Sequence, residues 1–256
     1  NGNWESWSML SALATCTKTV ELGNLVLGMG FRNPALLAKM ADTVDEISGG
    51  RLILGVGTGY HEVEYNAFGY PFDHRYARFE EAIQIVSALL KTGEVDFDGH
   101  YYKARECLLK PRGPRPTGLP IMVGTKGHKM LRLTARYADI WNVYWTSTNN
   151  SPDGVPPLRE RVDEACAEIG RDPATLERTV SVLTAEPDAD PWWNTLPTGH
   201  NYKPLEPVVG APAEIAEQLS AYCSRGISHV QVSIDRISTG AIERFAPALE
   251  LIRKGA

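Results

Sequence analysis

The sequence predicts an α/β fold built on parallel strands. Short apolar segments typical of buried strands alternate with amphipathic segments typical of helices, and this alternation recurs six times along the 256 residues. Parallel strands place functional groups at their carboxyl ends, so the loops that follow the strands are the predicted location of a site. The six strand-like segments are Leu22–Gly28, Leu52–Gly57, Pro120–Gly124, Asp139–Tyr144, Arg178–Thr184 and His229–Ile234.

Two architectures satisfy this alternation. A (β/α) barrel of roughly 250 residues matches the length, and the chain 1–256 is then a single domain. A closed barrel has eight strands, so six strands and seven helices, beginning with a helix, predict that a strand–helix–strand segment is lacking at the N-terminal end. The alternative is an open, doubly wound sheet of six strands, although no first strand leads directly into a dinucleotide-binding glycine pattern.

The first elements follow from apolar spacing and from the residues that bound them. Apolar residues at helical spacing predict a helix over Trp4–Thr15. Leu22–Gly28 is too short for a helix and suits a strand that is buried on both faces. The next helix is expected to begin at Pro34, which fits the first helical position, and to end at Gly49-Gly50.

Between the second and third predicted strands, the sequence predicts a long loop, a helix and a small hairpin. Three glycines make 57–71 a long loop, after which Arg75–Leu90 has one apolar face and is predicted to be a helix. Val95–Tyr102 predicts a small hairpin with Asp98-Gly99 as its turn, inside an excursion over about 93–118.

The C-terminal part contains a long loop and a closing helix. Five prolines without hydrophobic periodicity predict a loop over 186–209. Within it, Trp192 and Trp193 are candidates either for a lid over a substrate or for packing on a partner subunit. Ile242–Ile252 is amphipathic and predicts the last helix.

Composition excludes several classes of function. A net charge of −5 without a Lys/Arg cluster argues against a nucleic-acid partner, and no apolar run approaches the roughly 18 residues of a membrane span. The N-terminal residues show no signal-peptide pattern, and the use of cysteine described next favours a cytoplasmic protein. Four widely spaced cysteines indicate neither a metal site nor a disulfide framework: Cys16, Cys107, Cys166 and Cys223.

The first candidate site follows the second strand. Gly55, Gly57 and Gly59 alternate at the strand end, where glycine lets a planar ligand approach the backbone. Titratable residues follow at once, and the candidate catalytic groups are Tyr60, His61 and Glu62. The spacing is not that of a dinucleotide-binding fingerprint, and a solvated loop without a function is the alternative.

Three further strand ends carry weaker signals. Gly124, Thr125, Lys126 and Gly127 connect a strand to a helix and suit a phosphate, although such turns also occur where nothing binds. Asn142, among aromatic residues after the next strand, can line a cofactor pocket or belong to the core. Gly28 and Gly30, which follow the first strand, also leave room for a flat ligand.

Together these segments resemble the bacterial-luciferase-like superfamily of flavin and deazaflavin oxidoreductases, and within it the branch that uses coenzyme F420. The resemblance is strongest over 4–142. It is carried by the segments Trp4–Trp7, Gly23–Lys39, Asp45–Gly59, Phe97–Tyr102 and Ala135–Asn142.

The resemblance implies a (β/α)8 TIM barrel with a tricyclic ring across its carboxyl-end mouth. A cis peptide bulge at Leu25–Val26 would back the ring, and the cofactor phosphate would lie on the 124–127 loop. The implied cofactor-binding residues are Leu25, Val26, Gly28, Gly57, Thr58, Gly59, Tyr60, Gly124, Thr125, Lys126, Gly127 and Asn142.

Three functions remain open at this stage. The first is an F420-dependent oxidoreductase that transfers a hydride between the cofactor and a small organic substrate. The second is an FMN-dependent luciferase-like monooxygenase, and the third is a non-catalytic or degenerate flavin-binding barrel. The family resemblance also implies a homodimer, with neither a nucleic-acid nor a membrane partner.

Overall fold

The computed structural model of the protein describes residues 4–115, 117–186 and 205–255, and in them strands and helices alternate. The strands are β1 (Leu22–Gly23), β2 (Leu27–Gly28), β3 (Leu52–Gly57), β4 (Glu94–Asp98), β5 (Lys103–Leu108), β6 (Ile121–Gly124), β7 (Ile140–Val143), β8 (Glu177–Thr184) and β9 (His229–Ile234). The helices are α1 (Ser6–Cys16), α2 (Pro34–Ser48), α3 (Glu62–Ala67), α4 (Arg75–Thr92), α5 (His128–Tyr137), α6 (Trp145–Thr148), α7 (Pro156–Glu168), α8 (Pro212–Ser220) and α9 (Thr239–Gly255).

The described residues form two compact units. The first unit contains the residues up to Gly124 together with Arg132–Ile140, and the second contains Thr125–Leu131 and the residues from Trp141 onward. In the first unit β1, β2 and β6 pair in parallel with β3, and in the second unit β8 pairs in parallel with β9, which confirms the predicted parallel α/β class.

In the first unit, β3 is the central strand. It pairs with β1 and β2 on one side and with β6 on the other, and all six of its residues are buried. Helix α2 precedes it and has well-defined ends. The Asn33 side chain accepts a hydrogen bond from the amide of Leu36, Pro34 occupies the first turn, and Gly49 ends the helix at φ 69° as predicted.

The strand predicted over Leu22–Gly28 is not continuous. Only its two ends, β1 and β2, pair with β3, and Asn24–Val26 lies between them without strand geometry. We call Asn24–Val26 the bulge segment. The peptide bond between Leu25 and Val26 is cis, as the family resemblance implies.

The predicted loop over 57–71 contains a short helix, α3, which the sequence analysis missed. The predicted hairpin is present as the antiparallel pair β4–β5, but it is longer than predicted, and its turn is 99–102 rather than Asp98-Gly99, because Asp98 pairs with Lys103. Its turn is held by the Glu81 carboxylate, which accepts three backbone amide hydrogen bonds of 2.8–2.9 Å, from His100, Tyr101 and Tyr102.

In the second unit, the strand order is β7–β8–β9, and β8 and β9 pair along six residues, from Thr179 with His229 to Thr184 with Ile234. At the carboxyl end of β8, an isolated parallel bridge joins Thr184 to Val208, which lies in the region predicted to be a loop. The closing helix is longer than expected and contains Pro247.

Two further expectations from the sequence concern a lid and a membrane-spanning helix. Trp192 and Trp193, the candidates for a lid, lie outside the described residues. Among the helices that the structure describes, none combines the length and apolar character needed to cross a membrane.

Candidate active site

The bulge segment lies across the glycines of the neighbouring strands. A Cβ atom on Gly55 would lie 1.8 Å from the backbone oxygen of Asn24. Cβ atoms on Gly57 and Gly124 would lie 2.9 and 3.2 Å from the methyl groups of Val26. The glycine pattern that the sequence analysis assigned to ligand approach therefore has a structural cause, since these glycines make room for the chain itself.

The bulge segment presents an apolar surface beside an unused polar atom. Leu25 is 41% exposed although it is apolar, and Val26 is half-buried. The Asn24 side-chain oxygen is buried and has no hydrogen-bond partner among the described residues. An exposed leucine beside a buried, unpaired acceptor is the arrangement expected where a planar molecule with polar edges binds.

The loop that follows β3 is held from beneath by two side chains. The Tyr65 hydroxyl donates a hydrogen bond of 2.9 Å to the carbonyl of Thr58, and an Arg75 guanidinium nitrogen donates one of 2.7 Å to the carbonyl of Gly59. Gly28 belongs to the same cluster, because a Cβ on it would lie 3.7 Å from the Cα atom of Gly59. The structure thus brings Gly28, Thr58 and Gly59 together.

The three candidate catalytic residues lie on the outside of this loop. Tyr60 is 80% exposed, and His61 and Glu62 are exposed as well. The Tyr60 and His61 rings meet edge to face, with their centroids 6.3 Å apart. Over the described residues, no hydrogen bond joins the three side chains, so they are neighbours in sequence without forming a connected catalytic group.

In the second unit, two hydrogen bonds hold Thr125, the first residue of the loop Thr125–Gly127, and the Gly127 amide donates to the Thr125 hydroxyl at 3.3 Å. The Thr125 amide donates to the carbonyl of Asn142 at 3.1 Å, and the Trp141 indole nitrogen donates to the carbonyl of Thr125 at 2.8 Å. A Cβ on Gly127 would meet nothing within 4 Å, and Lys126 is exposed. Helix α5 begins directly afterwards, so the loop suits a phosphate.

Asn142 contributes to this loop through its backbone rather than its side chain. Its side-chain nitrogen donates to the Thr179 hydroxyl at 2.9 Å and to the Gln231 side-chain oxygen at 2.8 Å. Both amide hydrogens are therefore used between strands β7, β8 and β9. The sequence analysis proposed that this buried residue lines a cofactor pocket, whereas the structure shows it joining three strands.

The site residues missed by the sequence analysis are Tyr65 and Arg75. Tyr65 lies in the predicted loop and Arg75 begins the helix predicted over Arg75–Leu90, and neither belongs to a recognised motif. The only available signal was an aromatic residue shortly after a glycine-rich strand end.

With this geometry described, comparison with known protein families gives a clear result. The luciferase-like monooxygenase family profile matches residues 1–191. The chain belongs to the luciferase-like monooxygenase family. The family assignment agrees with the cis peptide of the bulge segment and with the glycine-rich ends of β3 and β6.

Individual members of the family differ in their reported activities. The chain is 35% identical to the pyrimidine monooxygenase RutA of Methylorubrum populi over 175 aligned residues. The alignment covers 66% of the chain and 46% of that protein. It is 32% identical to the 5,10-methylenetetrahydromethanopterin reductase of Archaeoglobus fulgidus over 188 aligned residues. This alignment covers 73% of the chain and 54% of that protein. The chain thus spans about half the length of these curated relatives.

A solved structure extends the likeness over the described fold. The coenzyme F420 dependent tetrahydromethanopterin reductase from Methanopyrus kandleri superposes with a TM-score of 0.80 at 17% identity, covering 99% of this chain and 88% of that one. At this identity the likeness shows a shared fold.

Proposed function

We propose that this chain is a luciferase-like (β/α)8 barrel that binds coenzyme F420 and transfers a hydride between it and a small organic substrate. The observation that carries the proposal is the bulge segment, in which Val26 lies against the glycines of β3 and β6 and Leu25 is exposed. The structural likeness to an F420-dependent reductase and the sequence relation to a methylenetetrahydromethanopterin reductase support this choice of cofactor.

The ring of the cofactor would lie against the bulge segment. Leu25 and Val26 supply the apolar face, and the unpaired Asn24 side-chain oxygen would accept a hydrogen bond from a polar edge. Burial of apolar surface stabilises such a complex by roughly 25 cal/mol for each Å² that is removed from water. When bound, the cofactor supplies the hydride chemistry, and the protein supplies binding, orientation and electrostatics.

The phosphate of the cofactor would bind to Thr125–Gly127. The start of α5 attracts an anion, the absence of a side chain at Gly127 leaves space for it, and the exposed Lys126 adds a positive charge. Two hydrogen bonds keep Thr125 in place before any ligand binds, so little ordering of the loop is needed at that step.

Proton transfer would involve the loop after β3. His61 would hold or release the proton at a ring nitrogen, and Tyr60 and Glu62 flank it in the sequence. These roles, the expected homodimer and the cytoplasmic location belong to the proposal. Sedimentation of the full protein tests the dimer.

An FMN-dependent monooxygenase is the second candidate. The relation to RutA at 35% identity favours it, because that protein is a monooxygenase. The third possibility, a degenerate barrel without a cofactor, makes the distinct prediction that neither F420 nor FMN binds.

Titration of the full protein with F420 and, separately, with FMN distinguishes the three. Binding is followed by quenching of the fluorescence of the six tryptophans. Saturable quenching by F420 with weak binding of FMN supports the proposal, and the reverse order supports the monooxygenase. Absence of binding by both cofactors refutes both enzyme functions.

Matched pairs of variants test the two parts of the site. Leu25→Asp is expected to raise the Kd at least about ten-fold because it puts a charge against the ring, which costs more than 1.4 kcal/mol. Leu36→Asp is the control, since Leu36 is 55% exposed on α2.

Lys126→Ala is expected to raise the Kd about five-fold in low salt, whereas Lys18→Ala, which removes an equal charge elsewhere, leaves the Kd unchanged.

A further inference from the structure

Tyr65 lies at the centre of a close-packed aromatic group under the loop after β3. It is 1% exposed, and its ring centroid lies 4.1 Å from that of Phe31. Cβ atoms on Gly30 and Gly59 would approach the Tyr65 hydroxyl oxygen to 2.8 and 2.3 Å. Glycine at these two positions therefore allows the Tyr65 hydroxyl to reach the loop backbone.

The loop carbonyls receive two hydrogen bonds from donors of fixed direction. Tyr65 donates to Thr58, and Arg75 donates to Gly59. Burial raises the pKa of Tyr65, so its hydroxyl stays protonated and remains a donor over the physiological range. The Arg75 guanidinium is itself supported by the face of the Phe72 ring, 4.1 Å below it.

The directions of these carbonyls determine the directions of the next amide groups. In a planar trans peptide the C=O and the following N–H point in opposite directions. Because Tyr65 and Arg75 hold the carbonyls of Thr58 and Gly59 toward the protein, the amides of Gly59 and Tyr60 point away from it. Gly59 has a φ of 73°, which lets the chain turn here and carry the next residues outward.

We propose that Tyr65 and Arg75 are positioning residues, which fix the orientation of the 58–62 loop against the bound cofactor and substrate. They act through the backbone and do not touch the reacting atoms. The identity of the ligand rests on the proposed function, whereas the ordering of the loop is a property of the ligand-free protein.

Tyr65→Phe removes only the hydroxyl and keeps the ring that packs on Phe31. Tyr222→Phe is the matched control, because Tyr222 is equally buried and its hydroxyl has no hydrogen-bond partner among the described residues. Amide hydrogen exchange of the 58–62 segment is measured in the ligand-free proteins. We expect exchange about five-fold faster in Tyr65→Phe and unchanged in Tyr222→Phe.

A second variant pair tests the arginine. Arg75→Gln loses the charged donor to Gly59 and is expected to loosen the same segment, whereas Arg75→Lys keeps a cationic donor and restores part of the protection. In the holoenzyme, Tyr65→Phe should raise the Kd for the cofactor about five-fold, whereas Tyr222→Phe should leave the Kd unchanged.

The outcomes separate this inference from the proposed function. Wild-type exchange rates in both Tyr65→Phe and Arg75→Gln would overturn the positioning role even if F420 binds tightly. Faster exchange in these variants confirms the loop ordering even in a protein that binds neither F420 nor FMN. Faster exchange with an unchanged cofactor Kd refutes the connection between loop order and binding.

Discussion

Replacement of Gly55 by alanine tests whether the bulge segment depends on the glycine of β3. The new Cβ atom would lie 1.8 Å from the Asn24 backbone oxygen, whereas Cβ contacts below 3.0 Å essentially never occur. One of the two chains must therefore move by at least about 1.2 Å. The obstructing atom belongs to the backbone, so rotation of a side chain cannot relieve the overlap.

The expected cost lies near the upper end of the range for overpacked sites, about 3 kcal/mol. For a chain of this size that corresponds to a thermal midpoint lower by about 6–12 °C. The midpoint is followed by circular dichroism, with Gly127→Ala as the control because a Cβ there meets nothing within 4 Å. The same displacement should weaken cofactor binding, since Leu25 and Val26 move with Asn24. A Gly55→Ala protein that melts within about 1 °C of the Gly127→Ala control would refute this reasoning.

Three further predictions concern other interactions. Asp45 is fully buried and paired with Arg115, so Asp45→Ala should cost about 3–5 kcal/mol in urea unfolding, and a loss below about 1 kcal/mol would show that the buried pair contributes little. Partial burial raises the pKa of Glu5, but amide hydrogen bonds at the start of α1 outweigh it and leave the pKa lowered. Glu5→Gln should therefore be less stable than wild type at pH 7, with the difference disappearing as the pH falls from 4.5 through the lowered value; a difference independent of pH would contradict this. Asn142→Leu leaves the Gln231 side-chain oxygen without its donor and should cost about 1–3 kcal/mol, part of which the double variant with Gln231→Leu recovers; strictly additive losses would argue against the pair.

Local patterns were sufficient to predict most of the strands and helices. The apolar run that forms β3 and the capping residues of α2 carry their structural signal within a few residues. Such signals are readable in sequence because propensity, capping and turn chemistry act over one or two turns of chain.

The features that escaped prediction depend on contacts between distant segments. Leu22–Gly28 has the composition of one strand, but its middle leaves the ladder and crosses over Gly55 and Gly57. Helix α3 forms where its aromatic residue Tyr65 fills space left by Gly30 and Gly59. Nothing within either segment encodes these contacts, and the same glycines suggested an open ligand site when the sequence was considered alone.

For the candidate site, the family resemblance implied one backbone feature correctly, whereas the directions of the side chains could not be predicted. The cis peptide at Leu25–Val26 is present where the family resemblance implies it. The side chain of Asn142 proved to be engaged by neighbouring strands, and Tyr60 proved to be exposed. Side-chain direction depends on tertiary packing, which spacing in a sequence does not determine.

Val26 packs against Gly57 and Gly124 at two strand ends, so the side-chain sizes allowed at these three positions depend on one another. The methyl groups of this single side chain occupy the space that a Cβ on Gly57 or Gly124 would need. Shortening Val26 to alanine would free that space, so a methyl group added at position 57 should be harmful alone and tolerated in the double variant. In homologous chains the sizes of these three residues should therefore vary together, and an enlarged residue at one strand end should accompany a smaller one in the bulge segment.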